Sequence, residues 1–192
     1  AGKPSAGLGS PLSESQSGGI CALPSLMSRA SPRPALRNAC LVHAPDGRCV
    51  ARYDKIHLFD VDVDRGDRIE RYRESATIAY GEPAYVVAPT QAGAVGLSVC
   101  YDIRFPELYR GLVQRGAELL CIPAAFTDRT GEAHWEILLR ARAVENQCFV
   151  IAPGQCGTHA SGRKTWGHTM IIDAWGRVLA ERVADTRGEV LG

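Results

Sequence analysis

Short apolar runs alternate with amphipathic segments through the middle of the chain. Residues 94–99 and 148–153 are almost continuously apolar, which is typical of strands that are covered on both faces. Residues 106–115 and 131–146 place apolar side chains on one helical face. Because strand-like runs and helical stripes take turns along the chain, the pattern predicts an α/β domain.

Two hairpins are predicted, one on each side of this alternating region. Runs at 39–43 and 48–53 flank an Asp-Gly turn, and runs at 169–173 and 177–182 flank a second turn that contains glycine. Hairpin strands are antiparallel, whereas neighbouring strands joined by a crossover helix are parallel. We therefore expect a mixed sheet.

Three segments lack hydrophobic periodicity. Residues 61–81 and 154–167 are predicted to be long loops, and loops of that length inside a domain are usually functional. Residues 1–37 are rich in Ser, Pro, Gly and Ala, a composition that cannot bury enough apolar surface to fold alone. We predict that residues 1–37 are disordered or lie outside the domain, which then covers residues 38–192.

The charge balance excludes several classes of partner. Lys and Arg number 22 against 21 acidic residues, so the chain offers no large basic face to nucleic acid or to an anionic membrane surface. No apolar run approaches the roughly 18 to 20 residues that a membrane span needs. We expect a soluble protein without nucleic-acid or membrane partners.

The seven cysteines include no Cys-x-x-Cys pair, and an odd number without such pairs is typical of reduced thiols. Reduced thiols indicate the cytoplasm or an organelle matrix, the mitochondrial matrix included. The sequence has no cluster of Cys and His at zinc-binding spacing and no glycine-rich phosphate loop. We expect neither a metal nor a cofactor.

Cys100 is the strongest candidate for chemistry. It follows the strand-like run at 94–99, and Pro106 with Glu107 marks the start of the next helix. Open α/β sheets place their active sites at such carboxyl ends of strands, where N–H groups of the turn can bond a developing oxyanion. A single cysteine is more often a small buried hydrophobe, so Cys100 needs further support.

Further support comes from four stretches: residues 53–60 (Tyr-Asp-Lys-Ile-His-Leu-Phe-Asp), residues 96–108 around Cys100, His134-Trp135 with residues 140–146, and residues 166–170 (Trp-Gly-His-Thr-Met). Together they resemble the nitrilase superfamily, the carbon–nitrogen hydrolases. The resemblance implies an α/β fold, a two-sheet αββα sandwich with its helices outside. Relative to that fold, we expect the chain to lack the first strand–helix unit.

The resemblance also implies a Glu-Lys-Cys triad in which Cys100 is the nucleophile and Lys55 stabilises the oxyanion. An ammonium beside the sulfur lowers the pKa of a thiol and binds a tetrahedral oxyanion, and the backbone N–H of Tyr101 is a candidate second donor. Glu74 matches a further active-site glutamate that the family carries beside the substrate. As a residue of a charged segment, Glu74 can equally be a solvated carboxylate.

The chain departs from the family pattern at both ends. The family carries its general-base glutamate well before the lysine, and here the only acid ahead of Asp46 is Glu14, in a segment without strand character. The C-terminus stops short of the closing strand of the family. We expect an incomplete copy of the domain with severely impaired turnover, because general acid–base catalysis contributes about 10² to 10⁴ in rate.

The expected reaction is hydrolysis of the C–N bond of a small ω-amide through a thioester on Cys100, which releases ammonia or an amine and a carboxylate. Residues 152–159 favour the branch of the family that acts on deaminated glutathione. An ω-amidase-like activity on another small amide is the alternative within the family. The resemblance further implies a homodimer or a larger homo-oligomer.

Two hypotheses from other classes stay open. One is a binding module that keeps the sandwich but catalyses no reaction. The other is a cysteine hydrolase in which His57, His134 or His168 activates Cys100. No pattern singles out one of these histidines, and a structural hydrogen bond is the commoner role for each.

Overall fold

The computed structural model of the protein describes residues 19–21, 26–28 and 35–182. The strands are β1 (Gly19–Cys21), β2 (Leu26–Ser28), β3 (Ala35–Arg37), β4 (Ala39–His43), β5 (Cys49–Asp54), β6 (Asp60–Asp64), β7 (Ile69–Arg73), β8 (Val87–Thr90), β9 (Gly93–Leu97), β10 (Leu119–Cys121), β11 (Phe149–Ala152), β12 (Cys156–Thr158), β13 (Lys164–Trp166), β14 (Thr169–Ile172) and β15 (Val178–Arg182). The helices are α1 (Pro106–Gln114) and α2 (Asp128–Asn146), and 3-10 turns cover Glu74–Ala76 and Cys100–Arg104.

The main sheet has six strands in the order β15-β14-β11-β10-β9-β8. Its centre is parallel, because β10 pairs in parallel with both β9 and β11. Antiparallel strands flank this centre, with β8 on one side and the β14–β15 hairpin on the other. The predicted mixed sheet and α/β class are confirmed.

A second sheet, in the order β1-β4-β5, lies against the main sheet. Cys40, Val42 and Tyr53 from β4 and β5 belong to the same buried cluster as Leu97 and Cys121 from β9 and β10. All five side chains are almost completely shielded from solvent. The chain therefore builds two sheets around a shared apolar core, as the predicted sandwich requires.

The two helices follow β9 and β10 in the chain and pack on the main sheet. On α1, Leu112 is fully buried and lies over Gly96 of β9, where an added Cβ would come within 3.2 Å of its side chain. On α2, Trp135 and Leu139 form the buried stripe. Thr127 caps α2 by accepting a hydrogen bond from a backbone N–H of the first turn, so the helix begins three residues before the predicted start.

The segment 61–81 is not an irregular loop. Residues 60–73 form the β6–β7 hairpin, so the prediction of a loop there was wrong. The hairpin is held by polar cross-strand contacts, among them the ion pairs of Asp62 with Arg71 and Arg73. The alternation of Asp and Val through β6 has the period of a strand and could have identified it, but the many charged residues of the segment favoured a loop.

The segment 154–167 also contains a hairpin where a loop was predicted. Strands β12 and β13 pair over three residues each, and a β-bridge ties Thr165 to Thr127 at the start of α2. Thr165 is buried and shares a hydrogen bond with His159 across the hairpin. Both corrected segments are thus ordered hairpins.

Most of the segment 1–37 lies outside the described residues. Within it the structure describes only β1, β2 and β3, of which β1 pairs with β4 and β2 pairs with β3. The assignment of this segment to disorder or to a region beyond the domain stays a prediction. In the described part of the chain, no helix has both the length and the apolar character needed to span a membrane.

Candidate active site

Cys100 lies at a sharp turn beyond the carboxyl end of β9. The strand ends at Leu97, and Cys100 is the first residue of the 3-10 turn that leads to α1. Its φ angle is +52°, a left-handed backbone conformation that residues other than glycine rarely adopt and that often marks functional sites. The backbone N–H of Cys100 donates to the carbonyl of Pro123, just beyond β10, over 2.8 Å. The turn is thus fixed to the neighbouring strand.

A buried carboxylate, Asp102, holds this turn and the segment that carries Lys55. Its Oδ2 accepts hydrogen bonds from the Tyr53 hydroxyl (2.8 Å) and from the Val99 N–H (2.9 Å). Its Oδ1 accepts from the backbone N–H of His57 (3.1 Å) and contacts the Nδ1 atom of that ring (2.7 Å). Tyr53 and His57 flank Lys55 in the sequence, so one side chain sets the position of both predicted catalytic segments.

Lys55 forms a buried ion pair with Glu74. The lysine is only 2% exposed, and its Nζ lies 2.5 Å from Oε2 of Glu74. The same carboxylate accepts hydrogen bonds from the side-chain amide of Asn38 and from the backbone N–H of Phe59. A buried ammonium requires such a partner. Glu74 is therefore a fixed neighbour of Lys55 and not a solvated carboxylate.

Cys100, Lys55 and Glu74 all line one cavity of about 580 Å³. Its other walls come from the β6–β7 hairpin, from the ends of β10 and β11, and from Arg163 on the β12–β13 hairpin. A volume of this size suits a small molecule. In the residues that the structure describes, no three His, Cys, Asp or Glu side chains are grouped as a metal site requires.

Burial raises the pKa of the Cys100 thiol above its ordinary value. The Lys55 ammonium acts in the opposite direction, and so do a hydrogen bond from the backbone N–H of Ala125 and the positive charge of Arg163. The Glu74 carboxylate adds to the increase. The surroundings of the sulfur are therefore enclosed, and the charges nearby partly offset the cost of forming a thiolate there.

Tyr101, the predicted second oxyanion donor, is the second residue of the 3-10 turn. The first hydrogen bond within that turn runs from the Asp102 N–H to the Val99 carbonyl. The N–H of Tyr101 lies one residue earlier and takes no part in the hydrogen bonds of the turn. The Tyr101 ring packs edge-on against Phe59 and Phe105. Tyr101 lines the same cavity as Cys100 and Lys55.

The three candidate histidines have partners other than Cys100. His57 contacts Asp102 and stacks on Phe105 with 3.6 Å between ring centroids. The Nδ1 atom of His134 lies 3.1 Å from the guanidinium of Arg104. His168 contacts Glu181 and stacks on Trp166. These contacts favour structural roles for the histidines.

Sequence reasoning missed three polar residues of this region: Asp102, Asn38 and Arg163. Asp102 stands two positions after Cys100, within the stretch that resembles the nitrilase superfamily, and this spacing is the one signal that could have identified it. Asn38 precedes a strand, and Arg163 lies in a glycine-rich turn. Only the fold brings these two side chains to the cavity.

The sequence matches the carbon-nitrogen hydrolase family over residues 14–191. The deaminated glutathione amidase of Yersinia enterocolitica is 52% identical to this chain over 156 residues, which is 81% of this chain and 53% of that protein. The chain thus spans about half the length of the curated relatives it matches.

Solved structures of the nitrilase superfamily resemble this one. The Caenorhabditis elegans NitFhit protein has a TM-score of 0.71 and 45% identity, over 77% of this chain and 35% of that chain. An amidase from Nesterenkonia sp. AN1, solved as a glutamate-to-glutamine mutant with acrylamide added at its active-site cysteine, has a TM-score of 0.68 and 28% identity, over 83% of this chain and 57% of that one. These similarities confirm the predicted fold class.

Replacing the buried carboxylate of Asp102 by an amide should destabilise the protein. In Asp102→Asn, either orientation of the amide turns its NH₂ group toward a backbone N–H, that of Val99 or that of His57. A buried donor without a partner costs about 1 to 3 kcal/mol, and we expect the free energy of unfolding in denaturant to fall by that amount. Asp46→Asn, in an exposed turn, is the matched control and should change it little. Equal losses in both variants would contradict the role assigned to Asp102.

The rate at which iodoacetamide alkylates Cys100 should report the charges around the sulfur. Only the thiolate reacts, so the rate rises with pH through the pKa of the thiol, which lies above its ordinary value. Lys55→Met removes an ammonium and should move the midpoint to higher pH, whereas Glu74→Gln removes a carboxylate and should move it lower. Mass spectrometry of the Cys100 peptide at each pH gives the profile. Shifts of the same sign in both variants would exclude this electrostatic arrangement.

Proposed function

The chain belongs to the carbon–nitrogen hydrolase family, and from that membership we propose that it hydrolyses the C–N bond of a small amide through a thioester on Cys100. The observation that carries the proposal is the shared cavity, which brings the Cys100 thiol together with the buried Lys55–Glu74 ion pair. The adduct at the active-site cysteine of the Nesterenkonia amidase supports a nucleophilic role for Cys100.

In the first step, the sulfur of Cys100 adds to the amide carbonyl carbon and the thiol proton passes to a general base. In the family that base is a glutamate that precedes the lysine. Among the described residues, Glu74 is the only carboxylate that lines the cavity and it is bound to Lys55, so here the proton passes to solvent and we expect a slow step. Negative charge develops on the carbonyl oxygen, where the Lys55 ammonium and the Tyr101 N–H stabilise it. The C–N bond then breaks, the nitrogen takes up a proton, and ammonia or an amine leaves with the acyl group still bound to Cys100.

In the second step, a water molecule adds to the thioester carbonyl. The S–C bond breaks, the carboxylic acid leaves, and the Cys100 thiol is restored. Glu74 accepts hydrogen bonds from Lys55, Asn38 and Phe59, and these contacts hold the ammonium in place through both steps. We assign to Glu74 the positioning of Lys55.

The substrate is a small ω-amide of the deaminated glutathione type. The name of the Yersinia relative supports this choice, and the volume of the cavity, about 580 Å³, accommodates a molecule of that size. The same chemistry suits an ω-amidase-like activity on another small amide, because Cys100, Lys55 and Tyr101 act on the amide carbonyl, which every such amide presents.

Ammonia release from succinamate, a four-carbon amide that carries a carboxylate, tests the reaction. The protein should release ammonia at a low rate, because no described residue takes the place of the general base. Cys100→Ala should reduce the rate to that of the solution without enzyme, because the acyl acceptor is gone. Cys49→Ala removes an exposed thiol on β5 and is the matched control, with no change expected. Release that persists in Cys100→Ala would exclude Cys100 as the nucleophile.

We also propose that the chain forms a homo-oligomer. Besides the resemblance, an exposed apolar patch supports this: Ile137 and Val144 of α2 and Trp175 of the β14–β15 turn are 67%, 53% and 81% exposed. The turn lies against the helix, since a Cβ at Gly176 would come within 2.7 Å of Val144. Exposed apolar residues that are grouped in this way often mark interfaces.

Sedimentation velocity at rising protein concentration tests this assembly. The wild type should sediment as a dimer or a larger species, and Ile137→Asn should shift it toward the monomer, because a polar side chain disfavours burial of the patch. Leu179→Asn, at an exposed position outside α2 and its adjoining turn, is the control. A monomer at every concentration would contradict the proposal.

A further inference from the structure

The cavity at Cys100 is lined by four cationic side chains and by one carboxylate, that of Glu74. Three of the cations have acidic partners. Lys55 pairs with Glu74 at 2.5 Å, whereas Arg73 and Arg71 pair with Asp62 at 2.7 and 3.9 Å. The fourth is Arg163, which forms no ion pair with any carboxylate in the described part of the chain. The positive charge of Arg163 therefore remains available to bind an anionic ligand.

The position of Arg163 is fixed by the turn between β12 and β13. Its carbonyl accepts a hydrogen bond from the His159 N–H over 2.9 Å. Its guanidinium donates to the carbonyl of Ala125 and lies 5.9 Å from the ring centroid of Tyr72. The bond to Ala125 uses one of the five N–H donors of the guanidinium, so the group keeps donors with which it can bind a carboxylate.

Arg163 is also near enough to Cys100 to influence it. Its charge lowers the pKa of the thiol, as does the N–H of Ala125, the residue whose carbonyl Arg163 binds. Arg163 is exposed and lines the cavity, so it lies at the mouth. Lys55 is almost completely buried in the same cavity. A substrate whose amide reaches Cys100 can therefore extend toward Arg163.

We infer that Arg163 is the specificity-determining residue that binds a carboxylate at the far end of the amide substrate. The inference rests on the proposed function. It specifies that the substrate is negatively charged and that Arg163 is the residue that selects this charge. Amides that carry a carboxylate are bound at both ends, by Arg163 and by the groups around Cys100, whereas neutral amides are bound at one end only. The guanidinium fork suits this task because it matches the geometry of a carboxylate.

Paired substrates separate charge recognition from other effects. Succinamate and butyramide have the same four-carbon chain, and only succinamate carries a carboxylate. In the wild type, kcat/KM for succinamate should exceed that for butyramide. Arg163→Met should lower kcat/KM for succinamate by about 10-fold more than for butyramide, a modest difference because exposed charge pairs are partly screened by water. The loss of its charge near the thiol affects both substrates alike, whereas the loss of the carboxylate contact affects succinamate alone. Arg163→Lys should restore part of the difference.

The matched control is Lys164→Met, which removes the same charge from the adjacent position of the same hairpin. Lys164 is exposed and is not among the residues that line the cavity, so the preference for succinamate should persist. If Arg163→Met lowers both substrates equally, Arg163 acts through the Ala125 peptide and the inference is overturned. An equal loss of preference in Lys164→Met would also overturn it, because any positive charge on this hairpin would then produce the preference.

A second measurement does not depend on turnover. Glutarate, a dicarboxylate, should protect Cys100 from iodoacetamide in the wild type, and at the same concentration it should protect Arg163→Met at least about 10-fold less well. Protection that is equal in the two proteins would overturn the inference. If succinamate releases no ammonia but the difference in protection is found, the proposed hydrolysis fails and carboxylate binding by Arg163 still holds.

Discussion

The buried carboxylate of Asp102 is the constraint on which the geometry of the site depends. It is inaccessible to solvent, and four contacts tie it to Tyr53, His57 and Val99. Burying a charge in this way is unfavourable unless its oxygens are fully hydrogen-bonded. The donors come from two separate segments, so satisfying the carboxylate also fixes the segment of Lys55 against the turn of Cys100. The left-handed conformation of Cys100 is kept within this arrangement.

A second buried charge pair completes the arrangement and holds an ammonium near the Cys100 thiol in an enclosed site. Burial of Cys100 disfavours its thiolate, and Lys55 offsets part of that cost. Lys55 itself is tolerated in the interior because Glu74 accepts its charge. In the proposed reaction, enclosure keeps the developing oxyanion close to Lys55 and away from bulk water, where the same interaction would be weaker.

Sequence reasoning found the elements and residues that short stretches of sequence are enough to indicate. The apolar run before Cys100 and the proline after it predicted the strand, the turn and α1, and family motifs predicted Lys55 and Glu74. The β6–β7 hairpin was missed although Asp and Val alternate through β6, because its many charged residues favoured a loop. The strands of the β12–β13 hairpin are three residues long and too short to show a period. The role of Arg163 depends on which acids the fold places near it, and residues distant in sequence decide this.

The most direct test of the central claim is the detection of the acyl intermediate on Cys100. The protein would be mixed with succinamate and quenched in acid at short times, and the modified peptide would be identified by mass spectrometry. The account predicts one succinyl group on the Cys100 peptide, which hydroxylamine removes as it does other thioesters. A succinyl group on a different residue, or ammonia release without any acyl group on Cys100 at any quench time, would contradict it.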